Sequence, residues 1–197
     1  IDGDLGRLLA REARAAIRTH LTGTHDLHDA LKALPPDRAE LDRKQGVFVT
    51  LHRTDPAEIA RHGRLRGCIG QIFPTYPLHE AVVVAAVSAA VGDRRFPPVR
   101  AEELDRLELE VTVLAPPRPI DDWRRIELGK HGIVLERGEK HKAVFLPQVA
   151  PEQGWTLEQT LSHLARKAGL PSDGWRTGCR FEVFTGQVFC EHAAGPE

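Results

Sequence analysis

A chain of 197 residues is long enough for one substantial core. Hydrophobic residues make up 41% and charged residues 28%, which excludes disorder over most of the length. The formal net charge is −1, with Lys and Arg spread along the chain, and this argues against nucleic acid or an anionic membrane as the main partner.

The first predicted element is an amphipathic helix. Leu5, Leu8, Leu9, Ala13, Ala16 and Ile17 recur at three- and four-residue steps, opposite Arg7, Arg11, Arg14 and Arg18. Asp2 or Asp4 can cap its start. A shorter helical patch follows at Leu27, Ala30, Leu31 and Leu34, ended by Pro35-Pro36. Gly46-Val47-Phe48-Val49-Thr50-Leu51 reads as a buried strand. A polar link, residues 53–64, joins it to a second strand over 65–72, giving a hairpin with a long connection. Residues 78–91 read as a helix apolar on nearly every face, hence one placed centrally against a sheet. A loop, Asp93-Arg94-Arg95-Phe96-Pro97-Pro98, ends it, and a short helix at 101–104 follows.

Leu107, Leu109, Val111 and Val113 alternate with Glu108, Glu110 and Thr112, as in a half-buried strand. Pro116-Pro117-Arg118-Pro119 reads as a hinge or connector. Residues 133–136 and 143–146 flank Arg137-Gly138-Glu139-Lys140, a hairpin pattern. Thr156 and Gln159 form a capping box for a helix that Gly169 and Pro171 stop. Residues 181–184 and 188–190 supply one or two final strands. Strands and helices alternate without a βαβ rhythm, so the fold class is α+β, a mixed or antiparallel sheet packed with helices.

Cys68, Cys179 and Cys190 form neither a CxxC pair nor a set of even count. They read as reduced thiols of a cytoplasmic protein. The longest apolar stretch, residues 81–91, falls short of the roughly 18–20 that span a bilayer, and no signal peptide is visible. The chain starts at Ile1 and holds no Met, so a removed initiator is expected, and residues 1–197 read as a single domain.

The candidate for chemistry is Leu65-Arg66-Gly67-Cys68-Ile69-Gly70. If the segment is extended, Arg66, Cys68 and Gly70 share one face. A guanidinium beside a thiol favours the thiolate, the form a nucleophile needs. Gly67 and Gly70 remove side chains, so backbone N–H groups can approach a carbonyl or anion. The competing reading is packing: a free Cys acting as a small hydrophobe, and glycines marking a bulge or tight contact with a helix.

With its surroundings in order, this segment resembles the hallmark of the AMMECR1 domain family, the protein A-like component of the AmmeMemoRadiSam system. Gly46-Val47-Phe48-Val49-Thr50-Leu51 lies upstream; Gly129-Lys130-His131-Gly132-Ile133, Leu146-Pro147-Gln148-Val149-Ala150 and Lys167-Ala168-Gly169-Leu170 follow the Asp93 loop. The resemblance runs over nearly the whole chain, loosely at 19–43, and Arg94 stands where the family usually has Pro. It implies a larger sheet-and-helix part, a smaller lobe built from part of the chain, and a cleft between them near the Cys loop. In microbes the domain is encoded beside, or fused to, Memo-like and radical-SAM proteins, the former resembling an extradiol dioxygenase fold. That company implies small-molecule enzymology.

Other positions carry two readings each. His131 is a proton shuttle near neutral pH or a hydrogen-bonded turn residue. Asp93 and Arg95 hold a ligand's carboxylate or phosphate, or form a structural ion pair. Gln148 reaches a pocket or satisfies nearby backbone. Glu110 takes a solvated position by default. His25 and His28 lack a third ligand at metal-binding spacing, so no metal is expected, and no cofactor either. Trp123, Trp155 and Trp175 read as core or lobe anchors. The expected function is a small-molecule enzyme, or a substrate-holding component of one. Cys68 is its nucleophile or covalent carrier, Arg66 its charge stabiliser and His131 its proton shuttle; Gly67, Gly70, Asp93, Arg95 and Gln148 contact the ligand. Memo-like and radical-SAM proteins are the expected partners. The rivals are a noncatalytic protein-binding module of that system and a nucleic-acid-binding regulator.

Overall fold

The computed structural model describes residues 1–23 and 39–191. The helical patch at 27–34 and the His25/His28 pair lie outside the described residues. The chain divides into two units, Ile1–Leu114 with the return from Gln187, and Ala115–Gly186. Each is built around a four-stranded antiparallel sheet, which makes the fold class α+β.

The first unit opens with helix α1 (Gly3–Thr22), whose Asp2 cap accepts from the Leu5 N–H at 2.7 Å. The apolar stripe read from the sequence is its buried face: Leu5, Leu9, Ala13, Ala16 and Ile17. Strands β1 (Val47–Arg53) and β2 (Leu65–Gln71) pair antiparallel as expected. Their connection is not plain loop, however. It carries helix α2 (Pro56–His62), with Asp55 accepting from Ala57 and Glu58 and Pro56 inside the first turn.

Helix α3 (Leu78–Val91) packs on β1 and β2, with α1 against it. Leu78, Ala81, Val82, Ala85, Ala86 and Ala89 are buried, so the central placement holds. The helix comes close enough to β2 that a methyl at Gly67 would overlap the Ala89 carbonyl oxygen. After the short helix α4 (Ala101–Leu104), strand β3 (Leu107–Leu114) pairs with β1 and buries its Leu and Val positions. The sheet order is β2-β1-β3-β8, with β8 (Gly186–Cys190) returning from the far end of the chain.

The second unit orders its strands β4-β7-β5-β6. Strand β4 (Arg118–Ile120) corrects the hinge reading of the Pro-rich stretch. It pairs with β7 (Arg180–Phe184), and Pro119 is accommodated because the strand is an edge. β5 (Gly132–Arg137) and β6 (His141–Phe145) form the expected hairpin, with Gly138 at φ +58° in its turn. A short helix α5 (Val149–Gln153) precedes α6 (Leu157–Lys167), whose Thr156–Gln159 capping box forms in both directions. Ile133, Leu135, Leu161, Leu164, Trp175 and Val183 fill this unit's core. Trp175 is the anchor expected of it, edge-on to Trp123 at 4.9 Å, and its indole N–H donates to Ser162. Among the described residues no helix is long and apolar enough to cross a membrane.

The closeness of Gly67 to α3 has a measurable consequence. Gly67→Ala should cost about 2 kcal/mol, because the obstacle is helix backbone and not a side chain that can swing away. Urea unfolding should show the midpoint falling with an unchanged slope; an unchanged midpoint would refute the close packing.

Candidate functional site

Cys68 lies on β2 directly across from Thr50 of β1, and Thr50 lies across from Glu110 of β3. Directly paired residues share a face, so the three form a row across the first sheet. The Thr50 hydroxyl donates to Cys68 Sγ at 3.3 Å, and the cysteine is half-buried. One pairing position along, His52 Nε2 approaches Glu110 Oε2 at 3.7 Å. His52 Nδ1 is buried with no hydrogen-bond partner among the described residues. Sequence reasoning missed Thr50 and His52. The alternation of Val47, Val49 and Leu51 with Phe48, Thr50 and His52 was the available signal, and only the strand register turns it into a neighbour of Cys68.

Arg66 does not join this row. The pairing register of β1 and β2 shifts between Leu51 and His52, leaving Arg66 as a bulged extra residue. Its guanidinium is buried elsewhere: Nε donates to Glu103 Oε2 at 3.0 Å and Nη1 to the Pro97 carbonyl at 2.9 Å. The strict alternation assumed for the segment fails at this one residue, and the charge expected beside the thiol is already neutralised by Glu103.

A different guanidinium reaches Cys68. Asp93, buried at the end of α3, accepts the Cys68 N–H through Oδ2 at 2.9 Å. Arg95 chelates that carboxylate, Nε to Oδ1 at 2.9 Å and Nη2 to Oδ2 at 2.6 Å, and Nη2 also donates to the Cys68 carbonyl at 3.2 Å. The pair thus satisfies both outward backbone groups of Cys68 on an edge strand. The Arg95 hydrogen bond is the largest cause holding the Asp93 carboxyl far below the usual carboxylate range; burial opposes it, and the Cys68 N–H reinforces it. Arg95 is raised in turn, first by Asp93 and in small part by the nearby Cys68. The loop turn is closed by the Phe96 N–H to the Asp93 carbonyl at 3.0 Å, so Arg94 in place of Pro does not prevent it.

The two glycines are accounted for by contacts inside this unit. Gly67 faces the Ala89 carbonyl, and a side chain at Gly70 would strike the Val47 carbonyl and the Phe48 ring. The surroundings of the other two thiols disfavour their thiolate forms. Burial pushes Cys179 up, and its Sγ–H donates to the Gly174 carbonyl at 3.3 Å. Burial pushes Cys190 up as well, helped by Glu108 and Glu110. A cavity of about 460 Å³ in the first unit opens on Arg14, Glu108, Cys190 and Glu191 rather than on Cys68.

His131 and Gln148 belong to the second unit. His131 is buried, and its Nδ1 accepts from the Glu127 N–H at 3.1 Å. Burial is the largest cause lowering its pKa; Glu127 opposes, while Lys130 and Arg118 add to the lowering. Gln148 is exposed where α5 begins, and its side chain makes no cap. Among the described residues no group of three or more His, Cys, Asp or Glu is arranged to hold a metal.

A family model described as AMMECR1 matches residues 10–189. A protein of Methanothermobacter thermautotrophicus is 43% identical over 196 residues, covering 95% of both chains. Protein MK0488 of Methanopyrus kandleri is 42% identical over 94% of this chain and 88% of its own. The crystal structure of PH0010 from Pyrococcus horikoshii, described as uncharacterized, is similar to the fold at a TM-score of 0.75. It is 40% identical and covers 95% of this chain and 92% of its own.

The Asp93 clamp sets an acid dependence. With its folded pKa lowered, Asp93 stabilises the fold above its ordinary value of 3.8 and loses that contribution as pH falls towards the folded value. Asp93→Asn should cost about 2 kcal/mol at neutral pH and flatten the loss of stability in acid. Chemical unfolding of both proteins across acidic pH checks it; parallel curves would refute it.

Proposed function

The chain belongs to the AMMECR1 family, and on that premise we propose that it is a small-molecule enzyme, or the substrate-holding component of one, in which Cys68 is the nucleophile or covalent carrier. The observation that carries the reading is the Thr50 hydroxyl donating to Cys68 Sγ, on a backbone pinned by Asp93 and Arg95. A hydroxyl aimed at sulfur stabilises negative charge there, and a fixed backbone holds the nucleophile's direction. Arg95, more than half exposed, replaces Arg66 as the positive charge available to an incoming anionic substrate.

In this reading the thiolate attacks an electrophilic carbon, an S–C bond forms, and the displaced group leaves with its bonding pair. Asp93 is a positioning residue. Memo-like and radical-SAM proteins are the proposed partners that supply or consume the carried fragment, on the strength of the family resemblance.

Alkylation by iodoacetamide, mapped by peptide mass, tests the thiol directly. Cys68 should react ahead of Cys179 and Cys190. Thr50→Val should slow its alkylation near neutral pH about fivefold, the rate equivalent of about 1 kcal/mol. An unchanged rate in Thr50→Val, or a Cys68 that reacts last, would overturn the nucleophile role. Full cellular function in Cys68→Ser would instead favour a docking module, a reading to which exposed Phe73 and Tyr76, just beyond β2, lend support.

A further inference from the structure

The second unit contains a pocket of about 400 Å³ whose walls are unusually rich in arginine. Arg118 of β4, Asp121, Arg124, Arg125, Glu127 and His131 are among its lining residues. A volume of that size lies within the range of small-molecule sites and exceeds what a bare ion fills.

The charges of this lining are not all available. Arg124 is tied to Asp122, Nη1 to Oδ1 at 3.3 Å, and lies over the Trp123 ring. Glu127 is taken by Lys130, whose Nζ reaches both carboxylate oxygens at 3.0 and 3.1 Å. Arg118 and Arg125 have no hydrogen-bonded acceptor among the described residues; Asp121 opposes them, and Asp122, already bound to Arg124, lies within electrostatic reach of Arg125. The backbone holds this arrangement firmly. Arg118 is paired with Val183 in the sheet, and the turn Trp123–Arg125 is capped by Asp122 accepting from the Arg124 N–H at 3.0 Å. Ile126, immediately after that turn, is buried in the core.

His131 completes the wall, and its hydrogen bonding fixes which nitrogen carries the proton. Nδ1 accepts from the Glu127 N–H, so it is bare, and the neutral ring holds its hydrogen on Nε2. No acceptor for Nε2 is found among the described residues, and Arg118 is close enough to disfavour a second proton on the ring. A ring N–H donor without an acceptor thus stands beside two unpaired guanidinium groups.

We propose that this pocket binds the oxyanion group of a small organic ligand, a carboxylate or a phosphate, between the Arg118 and Arg125 guanidinium groups with His131 Nε2–H as a third donor. Planar guanidinium forks match both kinds of oxyanion, and a neutral imidazole donates without needing to be charged. Asp121 repels the anion and sets the affinity below what the donors alone would give. The inference does not rest on the Cys68 reading, since that thiol is absent from the lining and the test needs no turnover.

Inorganic phosphate and acetate are titrated separately into the full chain at constant ionic strength, following the His131 ring resonances by NMR. At least one of them should move those resonances saturably, and the one that binds more tightly identifies the headgroup. Arg118→Gln and Arg125→Gln should each weaken binding about tenfold, and Asp121→Asn should tighten it. All three side chains are exposed, and unchanged melting temperatures confirm that the variants fold. The absence of a saturable shift with either anion would overturn the proposal. So would affinities that neither arginine variant changes.

Discussion

The carboxylate of Asp93 closes a sheet edge with a side chain instead of a strand. β2 is the outer strand of its sheet, and at Cys68 the N–H and C=O face away from β1. Left bare they would offer a template for another chain. Asp93 takes the N–H and Arg95 the C=O, so an ion pair two residues long does the work of a neighbouring strand. Burying a carboxylate is costly unless its lone pairs are filled. Here four donors fill them: the backbone N–H groups of Cys68 and Arg95, and Nε and Nη2 of Arg95. The same bonds tie the end of α3 to β2, so the loop and the thiol-bearing strand form one rigid piece.

How much of this was legible depends on the distance over which each feature is decided. Local features were read correctly: the stripe of α1, the ends of α3, the Thr156 capping box and the Gly138 hairpin are all set within a few residues. α2 was legible too, through Asp55, Pro56 and Gly63, but its polar sequence hid it because no face of it is buried. Arg66 was misplaced because period-two alternation carries no sign of a bulge. The shift is set by Glu103 and Pro97, more than 30 residues away, which offer the guanidinium its acceptors. Gly67 gave two readings from sequence, and the backbone of Ala89 decides between them.

The chain's last strands were readable as strands but not as partners. β7 and β8 are separated by Thr185 alone, yet one joins the second sheet and the other the first. β8 is secured to residues from the opposite end of the chain. The Phe189 ring covers Gly6 of α1, and Arg14 binds the Glu191 carboxylate at 2.7 Å while donating to the carbonyls of Leu104 and Leu107. Pairings separated by more than 170 residues leave no periodic trace in the sequence.

The exchange of Arg66 for Thr50 beside the thiol alters the physics of the site. A free arginine folded over Cys68 would supply a full charge, but ordering its long side chain costs up to about 2 kcal/mol of rotamer entropy. A β-branched threonine on the adjacent strand is held by its own χ1 preference and by the sheet register, so its hydroxyl reaches sulfur at little entropic cost. The stabilisation it gives is smaller, and because no counter-charge is involved it is less sensitive to salt. The positive charge is moved one step outward, to Arg95, whose inner face is spent on Asp93 and whose side chain remains more than half exposed. A rigid neutral donor thus directs the sulfur while a cation stands at the solvent side.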